Sequence, residues 1–124
     1  MDKKKVVLVL GASGGIATEL NKFLNKRYLI YLFYFKNKPK HLKNTKSIKL
    51  DLQNYSKIKS TLNQMKIKNK KIIILNLAAV KFDKISYNID SSDLEKTFKI
   101  NTFSFLNFVQ YFLPQMIKEK WGRV

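Results

Sequence analysis

The segment best suited to binding chemistry is a glycine-rich turn near the amino terminus. The aliphatic run Val6–Leu10 leads into the turn without polar alternation, which is typical of a strand buried on both faces. Ile16, Leu20, Phe23 and Leu24 follow at the spacing of one helix face, so the turn opens an amphipathic helix with these side chains on its apolar, core-facing side. Glycines let an anion approach the backbone, and the free N–H groups of a helix start point at it, which is how the diphosphate of a dinucleotide is held. We expect an anion cradle formed by Gly11, Ser13, Gly14, Gly15 and Ile16.

A lysine follows the second apolar run, where dinucleotide-binding folds choose between cofactors. Lys36 comes after Leu29–Phe35, and its neighbours Asn37 and Lys38 include no acid. A basic residue there favours the 2′-phosphate of NADP, whereas an acidic one bonds the ribose hydroxyl of NAD. The sequence therefore favours NADP over NAD. The glycine turn has a structural alternative, which is a strand–helix turn that binds nothing. Lys36 has one too, which is a solvated charge among many.

The chain has a large excess of positive charge, with 25 Lys and Arg against 8 Asp and Glu and a formal net charge of +17. Such a charge can indicate a nucleic-acid or membrane-surface protein. The excess is nearly all lysine, however, and only Arg27 and Arg123 are arginines, whereas specific nucleic-acid sites favour arginine. We expect no specific nucleic-acid partner and no membrane partner. A basic polyanion-binding protein remains an alternative.

Metal and thiol chemistry have no support in the composition. The chain has no cysteine, and His41 lies in a lysine-rich stretch without a nearby carboxylate. No metal-ligand cluster is visible in the sequence. The longest apolar run, residues 28–35, is too short to cross a bilayer, and the amino terminus lacks a signal-peptide pattern. These features predict a cytoplasmic protein without a metal site.

Apolar runs alternate with helical patterns along the chain. Strands are predicted at residues 6–10, 29–35, 47–51 and 72–75, and helices at residues 16–24, 55–65 and 93–118. Ser92 and Glu95 are expected to cap the long last helix. A wide apolar stripe is expected along this helix, formed by Leu94, Phe98, Phe105, Val109, Phe112 and Leu113. This order predicts an α/β fold, a Rossmann-type doubly wound parallel sheet in three αβα layers. Gly122 is expected to end the last helix and Val124 to begin another strand, so that the sheet is truncated before its fifth strand.

Four segments together resemble the short-chain dehydrogenase/reductase family. The turn at residues 11–17 is similar to the family's G-x-x-x-G-I-G motif, with Ala17 in place of the last glycine. The other segments follow in the family's order and cover essentially the whole chain: Leu50-Asp51-Leu52 after the third strand, Asn76-Leu77-Ala78-Ala79 close to N-N-A-G, and Asn101 with residues 113–116 and 122–124.

The resemblance assigns roles to several of these residues. It implies that residues 1–124 are the NAD(P)-binding Rossmann domain, the N-terminal part of a longer domain, with NADP or NAD as cofactor. Asp51 would accept a hydrogen bond from the adenine, and Leu52, Asn76 and Ala78 would complete or support the cofactor site. In the family, the asparagine that matches Asn101 distorts its helix and holds a water of the proton relay, which implies a catalytic role. On the residues alone, Asp51 fits a turn equally well, and Asn101 fits a buried, satisfied amide.

The family's catalytic serine and Y-x-x-x-K pair lie downstream of the fifth strand, and the sequence ends before that region. The resemblance therefore implies a complete protein that transfers hydride between NADP(H) and a small-molecule carbonyl or alcohol, and a 124-residue chain that is inactive alone. It also implies a homo-oligomer, a dimer or tetramer, that packs through the long helix. The carboxyl-terminal segments favour the compact, 3-oxoacyl-reductase-like branch over the extended sugar-nucleotide branch. A non-catalytic nucleotide-binding module is the alternative function.

Overall fold

The computed structural model describes residues 2–124 as a five-stranded parallel sheet flanked by helices. The strands lie in the order β3-β2-β1-β4-β5, which confirms the Rossmann-type, doubly wound class. The strands are β1 (Lys5–Leu10), β2 (Leu29–Tyr34), β3 (Thr45–Lys49), β4 (Lys71–Asn76) and β5 (Gly122–Arg123). The helices are α1 (Gly15–Leu24), α2 (Tyr55–Met65), α3 (Ser91–Phe98) and α4 (Ser104–Lys118), with a short 3₁₀ turn at Ser86–Asn88 and a π turn at Lys99–Phe103.

Strand β1 forms the centre of the molecule because both of its faces are buried. Val6, Leu8 and Leu10 lie in the core that α2 and α4 cover. Val7 and Val9 point to the opposite face and lie in the core that α1 covers. All five side chains are at most 2% exposed, as their unbroken aliphatic run predicted.

The carboxyl ends of the strands form the edge at which a ligand would bind. Connections from β1 and β4 leave this edge toward opposite faces of the sheet, which opens a crevice between them. The connection between β2 and β3, residues 35–44, has no helix and leaves the crevice accessible on that side. Among residues 2–124, no helix combines the length and apolar character needed to cross a bilayer.

The sheet includes a fifth strand, so the prediction that it is truncated before that strand is wrong in this detail. Gly122 and Arg123 pair in parallel register with Ile72 and Ile73 of β4. Lys120 adopts a left-handed conformation with φ of 49°, which turns the chain out of α4 and into β5. Gly122 is therefore a strand residue and does not terminate the helix.

The first helix is rotated from its predicted orientation. Ile16 and Phe23 were expected on its core face, but they are 75% and 67% exposed. Ala17 and Asn21 face the sheet instead. The helix begins at Gly15 on the edge of the sheet, and the small Ala17 fills the close approach to β1 and β2. The position of the turn, and not the distribution of large apolar residues, sets the buried face of α1.

The predicted long helix corresponds to α3, the π turn and α4 in succession, and we keep the name long helix for these three elements. It begins earlier than predicted. Asp90 precedes α3 and its carboxylate accepts a hydrogen bond of 2.9 Å from the Asp93 N–H, while the Asp93 carboxylate accepts from the Asp90 N–H. The predicted cap by Ser92 and Glu95 is therefore wrong. The Ser92 hydroxyl instead donates to Asp90 at 2.6 Å. Two capping patterns overlap in this sequence, and the earlier one, which has two carboxylates, forms.

The π turn interrupts the apolar stripe that was predicted to run along the whole helix. Phe108 and Phe112 of α4 are buried, but Leu94 and Phe98 of α3 are 52% and 55% exposed. A π turn inserts an extra residue into the helix, so the face of α3 is rotated relative to that of α4. A regular helical period continued through the π turn therefore cannot predict the buried faces of both α3 and α4.

Candidate functional site

A cavity of about 430 Å³ opens at the carboxyl ends of the central strands. Seven of the residues predicted to bind a cofactor line it: Gly11, Ser13, Gly14, Lys36, Asp51, Leu52 and Ala78. The structure therefore brings together residues from four loops that are up to 67 positions apart in the chain, from Gly11 to Ala78. Gly15, Ile16, Asn76 and Asn101 are not among the residues of the cavity wall.

Gly11 is the one position in the turn where the backbone itself requires glycine. Its φ of 74° lies in the left-handed region, which disfavours residues with a side chain. A Cβ built there would lie 2.6 Å from both the Cα and the N of Ala78. Gly11 thus lets the loop after β1 pass directly against the loop after β4. A third loop is attached by the hydrogen bond from the Ala12 N–H to the Phe33 carbonyl, at 3.0 Å.

Gly15 has the opposite surroundings, because a Cβ built there would meet nothing within 4 Å. It is the first residue of α1, whose start has no side-chain cap and no acidic residue in its first turn. In contrast, α2 is capped by the side chain of Asn54 and α3 by that of Asp90. No side-chain carboxylate or amide therefore accepts a hydrogen bond from the first N–H groups of α1, including that of Ile16.

Asp51 has the turn role that its sequence position allowed. Its Oδ1 accepts a hydrogen bond of 2.9 Å from the Gln53 N–H, and its carbonyl accepts one of 3.1 Å from the Asn54 N–H. These bonds shape the loop that leads from β3 into α2. Because Asp51 and Leu52 also line the cavity, the same turn positions them for an adenine contact, which stays a prediction.

Two residues of the long helix line the cavity and were not predicted from the sequence. Lys96 and Ile100 lie four residues apart on the helix, so both reach the cavity from the same side. Together with Lys36, Lys96 gives the wall two cations against one carboxylate, that of Asp51. The i, i+4 spacing of Lys96 and Ile100 is visible in the sequence. It identifies them as cavity residues only when the orientation of α3 is known.

Asn101 lies at the centre of the π turn and joins the helix to the loop after β4. Its side-chain amide donates to the Val80 carbonyl and accepts from the Val80 N–H, both at 2.8 Å. The Asn76 side chain donates to the Asn101 carbonyl at 3.5 Å. The helix is thus distorted at Asn101, as the resemblance implied. In the structure the amide is a satisfied, structural one, and its role toward a water stays a prediction.

The start of α3 is held by an ion pair. Lys84 Nζ lies 2.5 Å from the Asp93 carboxylate, and this hydrogen bond raises the pKa of Lys84 above its ordinary value of 10.5. Hydrogen bonds from the Ser92 hydroxyl and the Asp93 N–H lower the pKa of Asp90 below 3.8. Within residues 2–124, no group of three or more His, Cys, Asp or Glu side chains is placed to hold a metal ion.

The spacing Y-x-x-x-K does occur in the chain, but not where the family places its catalytic pair. Tyr34 and Lys38 have this spacing at the end of β2, and Tyr55 and Lys59 have it at the start of α2. The backbone beyond Tyr34 is not helical, so the first pair does not share a face. The second pair lines a separate groove between α2 and α4. Neither pair lies downstream of the fifth strand.

The parallel sheet, the crevice between β1 and β4 and the glycine turn define a protein of the Rossmann-type fold class. The chain belongs to the short chain dehydrogenase family, whose model matches residues 5–124. The family suggested by the four sequence segments is therefore confirmed. Its 3-oxoacyl-reductase-like branch stays a prediction.

Individual relatives agree with this assignment. The uncharacterized oxidoreductase TDA5 of Saccharomyces cerevisiae is 30% identical over 118 residues, covering 90% of this chain and 36% of the relative. The structure of 4-hydroxyisoleucine dehydrogenase complexed with NADH is similar with a TM-score of 0.82 and 19% identity, covering 94% of this chain and 52% of that one. The structure of ElxO with NADP bound has a TM-score of 0.75 and 21% identity, covering 96% and 53%. The chain thus spans about a third of the curated relative and about half of each solved structure, whose likeness is one of fold.

Proposed function

We propose that residues 1–124 are the NAD(P)-binding, N-terminal part of a short-chain oxidoreductase. In its complete form the protein would transfer hydride between NADP(H) and a small-molecule carbonyl or alcohol. The observation that carries the proposal is the start of α1, where Gly15 faces open space and no side chain caps the helix. The oxidoreductase name of the yeast relative and the nucleotide complexes of the two structural neighbours support it.

The residues present fit a dinucleotide. The N–H groups of Gly15 and Ile16 would hold the diphosphate, because they are the free donors at the positive end of α1. The loop at Asp51 and Leu52 would bind the adenine, and Ile100 would contribute apolar surface to the same cavity wall. When bound, the nicotinamide ring supplies the hydride acceptor or donor, and the protein contributes its position and orientation.

The charge of the cavity wall supports NADP over NAD. Lys36 and Lys96 provide two cations, and one oxygen of the only wall carboxylate, that of Asp51, is engaged in its own turn. The 2′-phosphate distinguishes NADP from NAD, and a lysine at the end of β2 would pair with it. NADP is therefore the proposed cofactor, with NAD as the weaker ligand.

Calorimetric titration of the 124-residue chain with NADP and with NAD, at physiological salt, tests this proposal. Lys36→Gln should weaken NADP binding about tenfold or more, because a charge-assisted hydrogen bond contributes about 1.5–3 kcal/mol. NAD binding should stay within about twofold of the wild-type value, since the ribose hydroxyl forms no ion pair.

Lys38→Gln is the matched control for Lys36→Gln. It removes the same charge two residues along the same loop, but Lys38 is not among the residues of the cavity wall. Equal weakening by the two variants would show that only net charge matters and would reject the role of Lys36. A folded wild-type chain that binds neither nucleotide would reject the cofactor proposal as a whole.

The hydride-transfer activity is tested by the coding sequence beyond residue 124. A serine followed by a Y-x-x-x-K pair, translated in frame after β5, would support the complete enzyme. A longer protein without that pair would instead support the non-catalytic nucleotide-binding module. A cytoplasmic location is part of the same proposal and is checked by fractionating cells that express the tagged protein.

The long helix supports the proposal of a homo-oligomer, a dimer or tetramer of the complete protein. The apolar side chains of its outer face are between 44% and 67% exposed, and they are Leu94, Phe98, Phe103, Leu106, Leu113 and Ile117. An apolar face of this kind marks a protein–protein contact. Sedimentation of the complete protein tests it, and a strictly monomeric species would reject it.

A further inference from the structure

The π turn has a hydrogen-bonding arrangement that centres on Ser104. The Ser104 N–H donates to the Lys99 carbonyl, five residues back, where a regular α-helix would use the Ile100 carbonyl. The Ser104 hydroxyl donates to that Ile100 carbonyl at 2.6 Å. Ser104 is fully buried, so water cannot replace this donor. The hydroxyl therefore takes over the bond that the backbone gives up when it forms the π turn.

The π turn matters because one residue that it displaces, Ile100, lines the candidate cofactor site, and the other, Asn101, is bonded to a loop that lines it. Ile100 lines the cavity. Asn101 makes its two 2.8 Å hydrogen bonds with Val80, which lines the same cavity from the loop after β4. If the helix were regular through this segment, residues on one side of it would rotate by about 100° relative to the other. Ile100 and Asn101 could not then both keep these contacts.

We propose that Ser104 is a positioning residue for the cofactor site. Its hydroxyl holds the π turn, the π turn aims Asn101 at Val80, and this pairing fixes the distance between the long helix and the loop after β4. The side chain itself does not touch the cavity. The inference rests on the proposed function in one respect only, which is that the positioned cavity binds a nucleotide.

Ser104→Ala tests the proposal, because it removes one oxygen atom from a buried position and adds no bulk. Thr97→Val is the matched control. The Thr97 hydroxyl also donates to the carbonyl four residues back, that of Asp93, at 2.7 Å, but it lies in the regular helix α3. Both variants lose the same kind of bond, and only one of them loses it inside the π turn.

Amide hydrogen exchange by NMR gives a readout that does not depend on the cofactor. Ser104→Ala should speed exchange of the Val80 N–H and the Asn101 side-chain amide at least tenfold relative to amides of β1. Thr97→Val should leave both unchanged. Ser104→Thr, which keeps the hydroxyl, should restore slow exchange. Unchanged exchange in folded Ser104→Ala would overturn the proposal.

NADP titration of the same three variants gives the second readout. Ser104→Ala should weaken binding about tenfold, and Thr97→Val should bind like the wild type. Wild-type affinity in Ser104→Ala would overturn the link from the π turn to the site. If the wild-type chain binds no nucleotide, the proposed function fails, and hydrogen exchange at Val80 still decides whether Ser104 positions Asn101.

Discussion

Alanine at Gly11 and alanine at Gly15 should have opposite effects on folding and on binding, although the substitutions are chemically identical. At Gly11 the new methyl group would be directed into the protein, 2.6 Å from the Ala78 backbone, and φ is 74°. At Gly15 the methyl group would point into open space at the start of α1. The first substitution conflicts with the fold, and the second conflicts only with a ligand.

The magnitudes follow from these two environments. At Gly11, the left-handed conformation costs a residue with a side chain about 1 kcal/mol, and relief of the backbone overlap costs about 1–3 kcal/mol. The expected loss of about 2–4 kcal/mol is a large part of the total stability of an ordinary domain, about 5–15 kcal/mol. At Gly15, alanine reduces the freedom of the unfolded chain and should be neutral or stabilising by up to about 1 kcal/mol.

Two assays separate the effects. Urea unfolding, followed by the fluorescence of the single tryptophan, gives the free energy of unfolding. Calorimetry gives the affinity for NADP. Gly15→Ala should be at least as stable as the wild type and lose at least tenfold in affinity, which is about 1.4 kcal/mol. Normal NADP affinity in Gly15→Ala would refute the anion cradle at the start of α1. Normal stability in Gly11→Ala would refute the close approach of the Gly11 loop to the Ala78 backbone.

Three further predictions concern the core, the start of α3 and assembly. Phe108→Ala should lower the free energy of unfolding by about 3–5 kcal/mol, because the ring is fully buried and packs edge-to-face on Phe33 with ring centroids 4.9 Å apart. Urea unfolding measures this loss, and a loss under about 1 kcal/mol would contradict the packing. The lowered pKa of Asp90 means that its contribution to stability is present above pH 3.8 and is lost as the pH falls through the lower, folded-state pKa. Ser92→Ala removes the largest cause of that shift and should move the Asp90 pKa up toward 3.8, which a carboxyl NMR titration would show or exclude. Ile117→Glu places a charge on the exposed face of α4 and should dissociate the proposed oligomer without lowering protomer stability, as measured by sedimentation and urea unfolding.

The features that the sequence predicted correctly are those set by local pattern. The unbroken run before Gly11 required a strand buried on both faces, and the turn after it required a close backbone approach, so the centre of the sheet followed from a dozen residues. The order of strands and helices then fixed the doubly wound topology. The cavity residues Lys36 and Asp51 follow from the same order, because they stand where strands end at one edge of the sheet.

The features that were missed depend on how elements are rotated and where they begin. Ile16 was expected to be buried because it is large and apolar, but the fold selects Ala17 for the contact with the sheet. The cap at Asp90 competed with an equally plausible one at Ser92. Lys96 lines the cavity from α3, whose face is rotated relative to that of α4 by the π turn. No periodicity in a single sequence specifies a one-residue insertion within a helix.

The start of α1 and the cavity wall are both destabilised when no anion is bound. A helix with glycine at its N-cap is less stable than one capped by a side chain by roughly a few tenths of a kcal/mol, and this chain caps α2 and α3 with side chains but has Gly14 at the N-cap of α1. The adjacent wall has more cations than carboxylates, which also disfavours the unliganded state. Bound NADP would correct both at once, since its diphosphate would accept from the helix N–H groups at Gly15 and its 2′-phosphate would neutralise Lys36 in the wall. The free energy of unfolding of the chain should therefore rise with NADP concentration, and more steeply than with NAD, because the nucleotide that supplies more negative charge relieves more of this destabilisation.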